Sequence, residues 1–155
     1  MVIVGHGLVS RQVLGPETPR GTPVQAVVML RRYRCRACKA VLIVGPRGLV
    51  GRRWYSGGAI ALALSAYGRG ETSAQARART SPFPVVGTSA TERWATLVRW
   101  VEAARGGELF TIDGLGPLGR RRVAEQVSLA LSARGGRTLG GDLEQSAFEG
   151  AAIAA

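Results

Sequence analysis

Two cysteines three positions apart, Cys35 and Cys38, sit inside the most basic stretch of the chain, RRYRCRACKAVLIVGPRGLVGRRWY from Arg31 to Tyr55. They are the only cysteines in 155 residues, and thiolates at this spacing grip one metal ion from a tight turn, as each half of a zinc ribbon does. Structural zinc takes four ligands, so the pair is half a site. The single histidine, His6, is the remaining candidate for a third ligand, and a surface histidine is the ordinary alternative. A thioredoxin-like redox pair would open a helix behind a buried strand, whereas here an arginine-rich strand leads into the cysteines.

The charge around the cysteines suggests a second chemistry. Arg31, Arg32, Arg34, Arg36, Lys39, Arg47, Arg52 and Arg53 form a run without an acid, in a chain of net charge +11 whose basic side chains are all arginine but one. Arginine presents a planar fork that meets phosphate oxygens two at a time, so such a run suits a polyanion, with nucleic acid first among them. The alternative is a solvated basic face with no ligand. Tyr33, Trp54 and Tyr55 lie in the same stretch and could stack on bases, although core packing is the commoner use of such residues. Without a stacking platform the arginines do not distinguish RNA from DNA.

These residues need elements to position them. Met1–Gly5 reads as the start of a strand, residues 15–23 as a proline-rich loop, and residues 24–34 as a strand rich in β-branched side chains. Residues 40–44 return as a second strand, which sets the cysteines at the tip of a hairpin whose packing would come from Val28, Leu30 and Leu42. Ser56 caps a helix through Ile60, Leu64 and Tyr67; after the break at residues 68–71, Thr72–Arg79 forms a short second helix. Helix, glycine turn, helix is the spacing of a helix-turn-helix, with Gln75, Arg77 and Arg79 as candidates for base edges. Ser89 and Glu92 have the spacing of a capping box for a third helix carrying Trp94, Leu97, Val101 and Ala104 on one stripe and ending at Gly106. Residues 117–134 read as a last amphipathic helix using Val123, Val127, Leu131 and Ala130. Arg120, Arg121 and Arg122 at its start oppose the helix dipole and are candidates for ligand phosphates.

The expected fold is α+β: a zinc-ribbon-like β unit over residues 1–55, a helical helix-turn-helix-like domain over 56–134, and a flexible or partly helical tail over 135–155. No secretory signal or spanning segment is visible, so a cytoplasmic protein without a membrane partner is expected. Catalysis is not expected. A transposase-type nuclease needs three converging acids, whereas Asp113 and Asp142 are the only aspartates here and neither ends a convincing buried strand.

The ordered motifs RRYRCRACKAVL, PRGLVGRRWYS, AIALALSAYG, ARARTSP and RWATLVRW, with Gly5-His6-Gly7 ahead of them, resemble a family of uncharacterised bacterial proteins associated with transposable elements, over about residues 4–110. Its members resemble transposase amino-terminal regions, with a zinc ribbon followed by helix-turn-helix-like helices. The resemblance implies a DNA-binding module of a mobile element, zinc held by Cys35 and Cys38, and double-stranded DNA, a transposase or a further copy of the chain as partners. It also implies another Cys-x-x-Cys upstream of residue 4, which this sequence lacks. A start placed too late, a decayed copy, or His6 with a further ligand are the alternatives. Lys39 stands where glycine often eases the turn after the second cysteine, at a modest strain cost. A protein-interaction module with incidental charge is the competing expectation.

Overall fold

The computed structural model describes residues 2–86, 93–136 and 142–154. Three strands, β1 (Ile3–Gly15), β2 (Val24–Cys35) and β3 (Val41–Val44), form one antiparallel sheet in the order β1-β2-β3. Val9 faces Leu30, Arg11 faces Val28 and Val13 faces Ala26, while Arg32 pairs with Ile43 and Tyr33 with Leu42; the β1–β2 register shifts between Gly5 and Leu8. Opposed residues share a face, and the two faces differ. Leu30 is buried, with Val9, Arg11, Val13, Ala26 and Val28 half-covered beside it. The opposite face leaves Leu8, Val27, Met29, Leu42 and Val44 exposed. The expected hairpin is present, but Leu42 does not pack it: β3 is an edge strand with all four side chains in solvent.

The helices are α1 (Gly57–Gly68), α2 (Ser73–Thr80), α3 (Ala95–Arg105), α4 (Arg120–Arg134) and α5 (Leu143–Ala154). Among the described residues none is long and apolar enough to cross a membrane. The Ser56 hydroxyl accepts the Ala59 amide, as a helix cap should. Residues 57–66 are buried on every side, which identifies α1 as the central element. Leu97, Trp100 and Val101 from α3, Val123, Val127 and Leu131 from α4, and Ala147 and Ala151 from α5 share one core with Ile60 and Leu64. Each large apolar side chain so buried contributes roughly 1.5–3 kcal/mol. Trp94, Trp100 and Tyr55 pack edge to face at 5.0–5.9 Å between centroids, which gives Trp94 and Tyr55 their expected place in the core. Ser89 and Glu92 lie outside the described residues.

Of the two alternatives for the carboxyl-terminal tail, flexible or partly helical, residues 143–154 take the helical one as α5, which packs against α1 and α4. Small residues make this possible. A Cβ on Gly150 would run into the Leu131 carbonyl, and one on Gly135 into the Ser146 carbonyl, so α4 and α5 approach with backbone against backbone. The sheet joins this helical body at one corner. Gly15, at φ 127°, has the Ala59 methyl where its own Cβ would lie. The Leu14 amide donates to Trp54 O at 2.8 Å and the Ser56 amide to Leu14 O at 3.0 Å. Beyond that joint, most of the ribbon stands clear of the helices.

Candidate nucleic-acid interface

The loop from Gly45 to Trp54 folds back over the half-covered face of the sheet. Arg11 staples it there, its guanidinium donating to Val50 O at 2.6 Å and to Arg53 O. The space left between loop and sheet is a groove of about 750 Å³, lined by Arg11, Gln12, Leu30, Ile43, Arg47, Leu49, Arg52, Arg53 and Trp54 among others. Four arginines line it and no acid does. Arg52 adopts a left-handed backbone, φ 57°, a conformation that costs a non-glycine residue of order 1 kcal/mol and tends to persist where the surroundings hold a functional segment. Trp54 is 64% exposed. Of the three aromatics in this stretch, then, Tyr55 belongs to the core, Tyr33 is half-buried under the Arg31 guanidinium at 5.9 Å, and Trp54 stands out in the groove.

Strand alternation divides the other arginines of the run. Arg32 and Arg34 share their face with Leu30 and extend the basic surface from the groove towards the cysteine turn, while Arg31 points to the opposite face. Arg36 is exposed in the turn itself. Among the described residues Arg31, Arg32, Arg34, Arg36, Arg47 and Arg52 have no acidic partner, and Arg53 approaches Glu108 only at 4.0 Å. Residues 1–70 hold eleven basic side chains and one acid, Glu17, against ten and nine in residues 71–155. That partition is readable by counting along the chain, and it marks the sheet end as the source of almost all the net charge.

The helical candidates are arranged differently. Helices α1 and α2 follow the expected helix, turn, helix order, but Arg79 does not face outward. Its two terminal nitrogens donate to Glu144 Oε1 and Oε2 at 2.7 and 2.6 Å, and to Glu71 at 2.9 Å. Arg69 bonds the same Glu144 carboxylate, so one buried acid on α5 ties down α2 and the end of α1. These carboxylates hold the Arg79 guanidinium pKa above its ordinary value. Gln75 is exposed, but its side-chain carbonyl accepts the Thr72 amide in a capping box, and Arg77 is half-buried with its Nε unpartnered among the described residues. The α4 patch is engaged too: Arg120 donates to Glu102 at 3.0 Å, Arg122 to Glu125 at 2.6 Å, and Arg121 to the carbonyls of Tyr67 and Glu71 while lying 4.6 Å over the Tyr67 ring. These internal acceptors offset the repulsion expected between a basic cluster and a helix amino terminus. Arg93 and Arg99 are exposed and have no side-chain acceptor among the described residues.

At the hairpin tip the Cys35 amide donates to Ala40 O at 2.9 Å and the Lys39 amide to Cys35 O at 3.1 Å. Lys39 takes φ 63°, the left-handed conformation expected of that position, and its ammonium donates to Arg36 O at 2.7 Å. Cys35 is buried and Cys38 exposed. The Cys38 amide, followed by its thiol and the Ala37 amide, donates to the Cys35 sulfur and holds its pKa below the usual thiol range. Among the described residues no group of three His, Cys, Asp or Glu side chains could hold a metal ion. His6 sits exposed in the irregular stretch of β1, while Cys35 is opposite Ile3. Among the described residues, then, no four-ligand zinc site is completed within one chain. Compared with family models, curated proteins and solved structures, the chain matches none.

Proposed function

We propose that this chain is a nucleic-acid-binding module, non-catalytic by itself, that takes DNA on its sheet end. The observation that carries the reading is the contrast in pairing: six arginines of the sheet end lack an acidic partner among the described residues, whereas most helical arginines have internal acceptors. Arg32 and Arg34 on β2 and Arg47 and Arg52 on the loop folded over it would grip phosphates along one face. The link to a mobile element rests on the family resemblance alone. Sequence-specific reading from α2 would fall to Gln75 and Arg77, since Arg79 is engaged elsewhere. The test is fluorescence anisotropy with a random duplex across a salt series. Steep loss of affinity as salt rises is the expected result, because phosphate contacts release counterions. No binding at low salt would refute the reading.

A second reading, a protein-docking module, is favoured by the exposed apolar face carrying Leu8, Val27, Met29, Leu42 and Val44. It predicts association that persists at high salt.

A further inference from the structure

From the setting of Trp54 we infer that the groove accepts an unpaired nucleobase, so that the preferred ligand is a single-stranded segment of nucleic acid rather than an uninterrupted duplex. The inference rests on the nucleic-acid reading above and deepens it. Trp54 is 64% exposed, against 6% for Trp94 and 2% for Trp100, so it is the one tryptophan whose ring face is open to a ligand. Its exposure is not a frayed end: the Trp54 carbonyl is held by the Leu14 amide, and the Tyr55 ring that follows is locked between two tryptophans. The indole is thus presented from a fixed backbone.

The ring shares the groove with Arg47, Arg52 and Arg53, which supplies cations for the phosphates next to a stacked base. A flat aromatic surface with cations beside it is the arrangement by which single strands are bound without sequence preference, each stacked base being worth a several-fold or larger gain in affinity. A duplex withholds the ring faces of its bases from such a surface. The groove, about 750 Å³, falls in the range of clefts that enclose one small molecule, the size of a single nucleotide, while Arg47 and Arg52, both exposed, stay open to the phosphates of either ligand. Leu30, Ile43 and Leu49 give the lining an apolar part that would cover the edge of a base, and Gln12 is a polar side chain beside them.

The experiment compares oligothymidylate, oligouridylate and a blunt duplex of equal length at one low salt concentration, using the full chain and its Trp54→Ala, Trp54→Phe and Arg52→Ala variants, each checked for folding by circular dichroism. The expected results are quenching of the exposed-tryptophan emission by the single strands, and a loss on the order of tenfold in single-strand affinity for W54A with W54F largely retained. Duplex affinity should be unchanged by W54A, and R52A should weaken every ligand. Equal binding of the two single strands would assign the site to an unpaired base in general, whereas preference for oligouridylate would place an RNA in it; both keep the inference. Single-strand binding that W54A leaves intact would overturn the inference while leaving nucleic-acid binding standing. Failure of every ligand to bind would overturn both.

Discussion

Arg79 and Arg52 carry the same guanidinium in opposite circumstances. Arg79 is closed onto both oxygens of a buried carboxylate, Glu144, and onto Glu71; Arg52 is exposed on a left-handed loop residue with no acidic partner among the described residues. The comparison extends to their neighbourhoods. At the helical end arginines join α1, α2, α4 and α5 and bridge α3 to α4. At the sheet end most of them line a groove or a strand face; Arg11 staples the loop, and Arg20 and Arg53 make only long ion pairs, to Asp142 at 3.7 Å and Glu108 at 4.0 Å. Composition alone, with its +11 charge, cannot separate these jobs, because what decides them is whether an acid lies within reach in three dimensions.

Substitutions can break the comparison, beginning with the helical end. The largest effect is expected at Gly150, where any side chain meets the Leu131 carbonyl. Gly150→Val should cost at least about 3 kcal/mol, read as a lowered denaturation midpoint, because backbone atoms cannot yield as a side-chain end can. Glu144→Ala comes next. It strands Arg69 and Arg79 without their shared acid and should cost about 2–4 kcal/mol, less than a fully buried pair because both arginines reach solvent. Its affinity for DNA, measured on folded protein, should not fall. Arg47→Ala with Arg52→Ala should give the reverse outcome: stability within about 0.5 kcal/mol of the parent, with weaker binding. The smallest effect concerns pH. The hydrogen bond from Arg120, with Arg105 nearby, holds the Glu102 pKa below the usual carboxylate value. A depressed carboxylate contributes its stability above the unfolded value of about 4.3 and loses it as pH falls through the lower folded value. The stability gap between the parent and Glu102→Gln should therefore be present at neutral pH and vanish in strong acid.

Much of the frame was legible because local chemistry fixed it. The Cys-x-x-Cys turn at a hairpin tip, the Ser56 cap, the glycine break after α1 and the stop of α4 at Gly135 all follow from residue types whose backbone preferences are strong. The packing of helix α5 was not legible. Its alanines, serines and glycine read as poor core formers by hydropathy, yet small size is what lets α4 and α5 touch, and the partner surface lies on distant elements. Arg79 escaped a sequence reading for a similar reason: Glu144 is 65 residues away. Trp54 and Leu42 were expected to pack by type, but Leu42 lies on an edge strand with its side chain in solvent, and Trp54, whose carbonyl is held at the joint by the Leu14 amide, leaves the core position to Tyr55 and keeps its own ring exposed. The uneven split of charge between residues 1–70 and 71–155 was the available signal, and it points to the sheet end.

The most direct measurement of that division of labour is the salt dependence of duplex binding for three proteins: the parent, Arg47→Ala with Arg52→Ala, and Arg120→Ala with Arg122→Ala. The slope of log affinity against log salt should fall by roughly 0.9 for each phosphate contact removed, so the first pair should lower it by about 2 and the second should leave it unchanged on folded protein. Equal slopes in all three proteins, or a larger loss from the α4 pair, would contradict the assignment of binding to the sheet end.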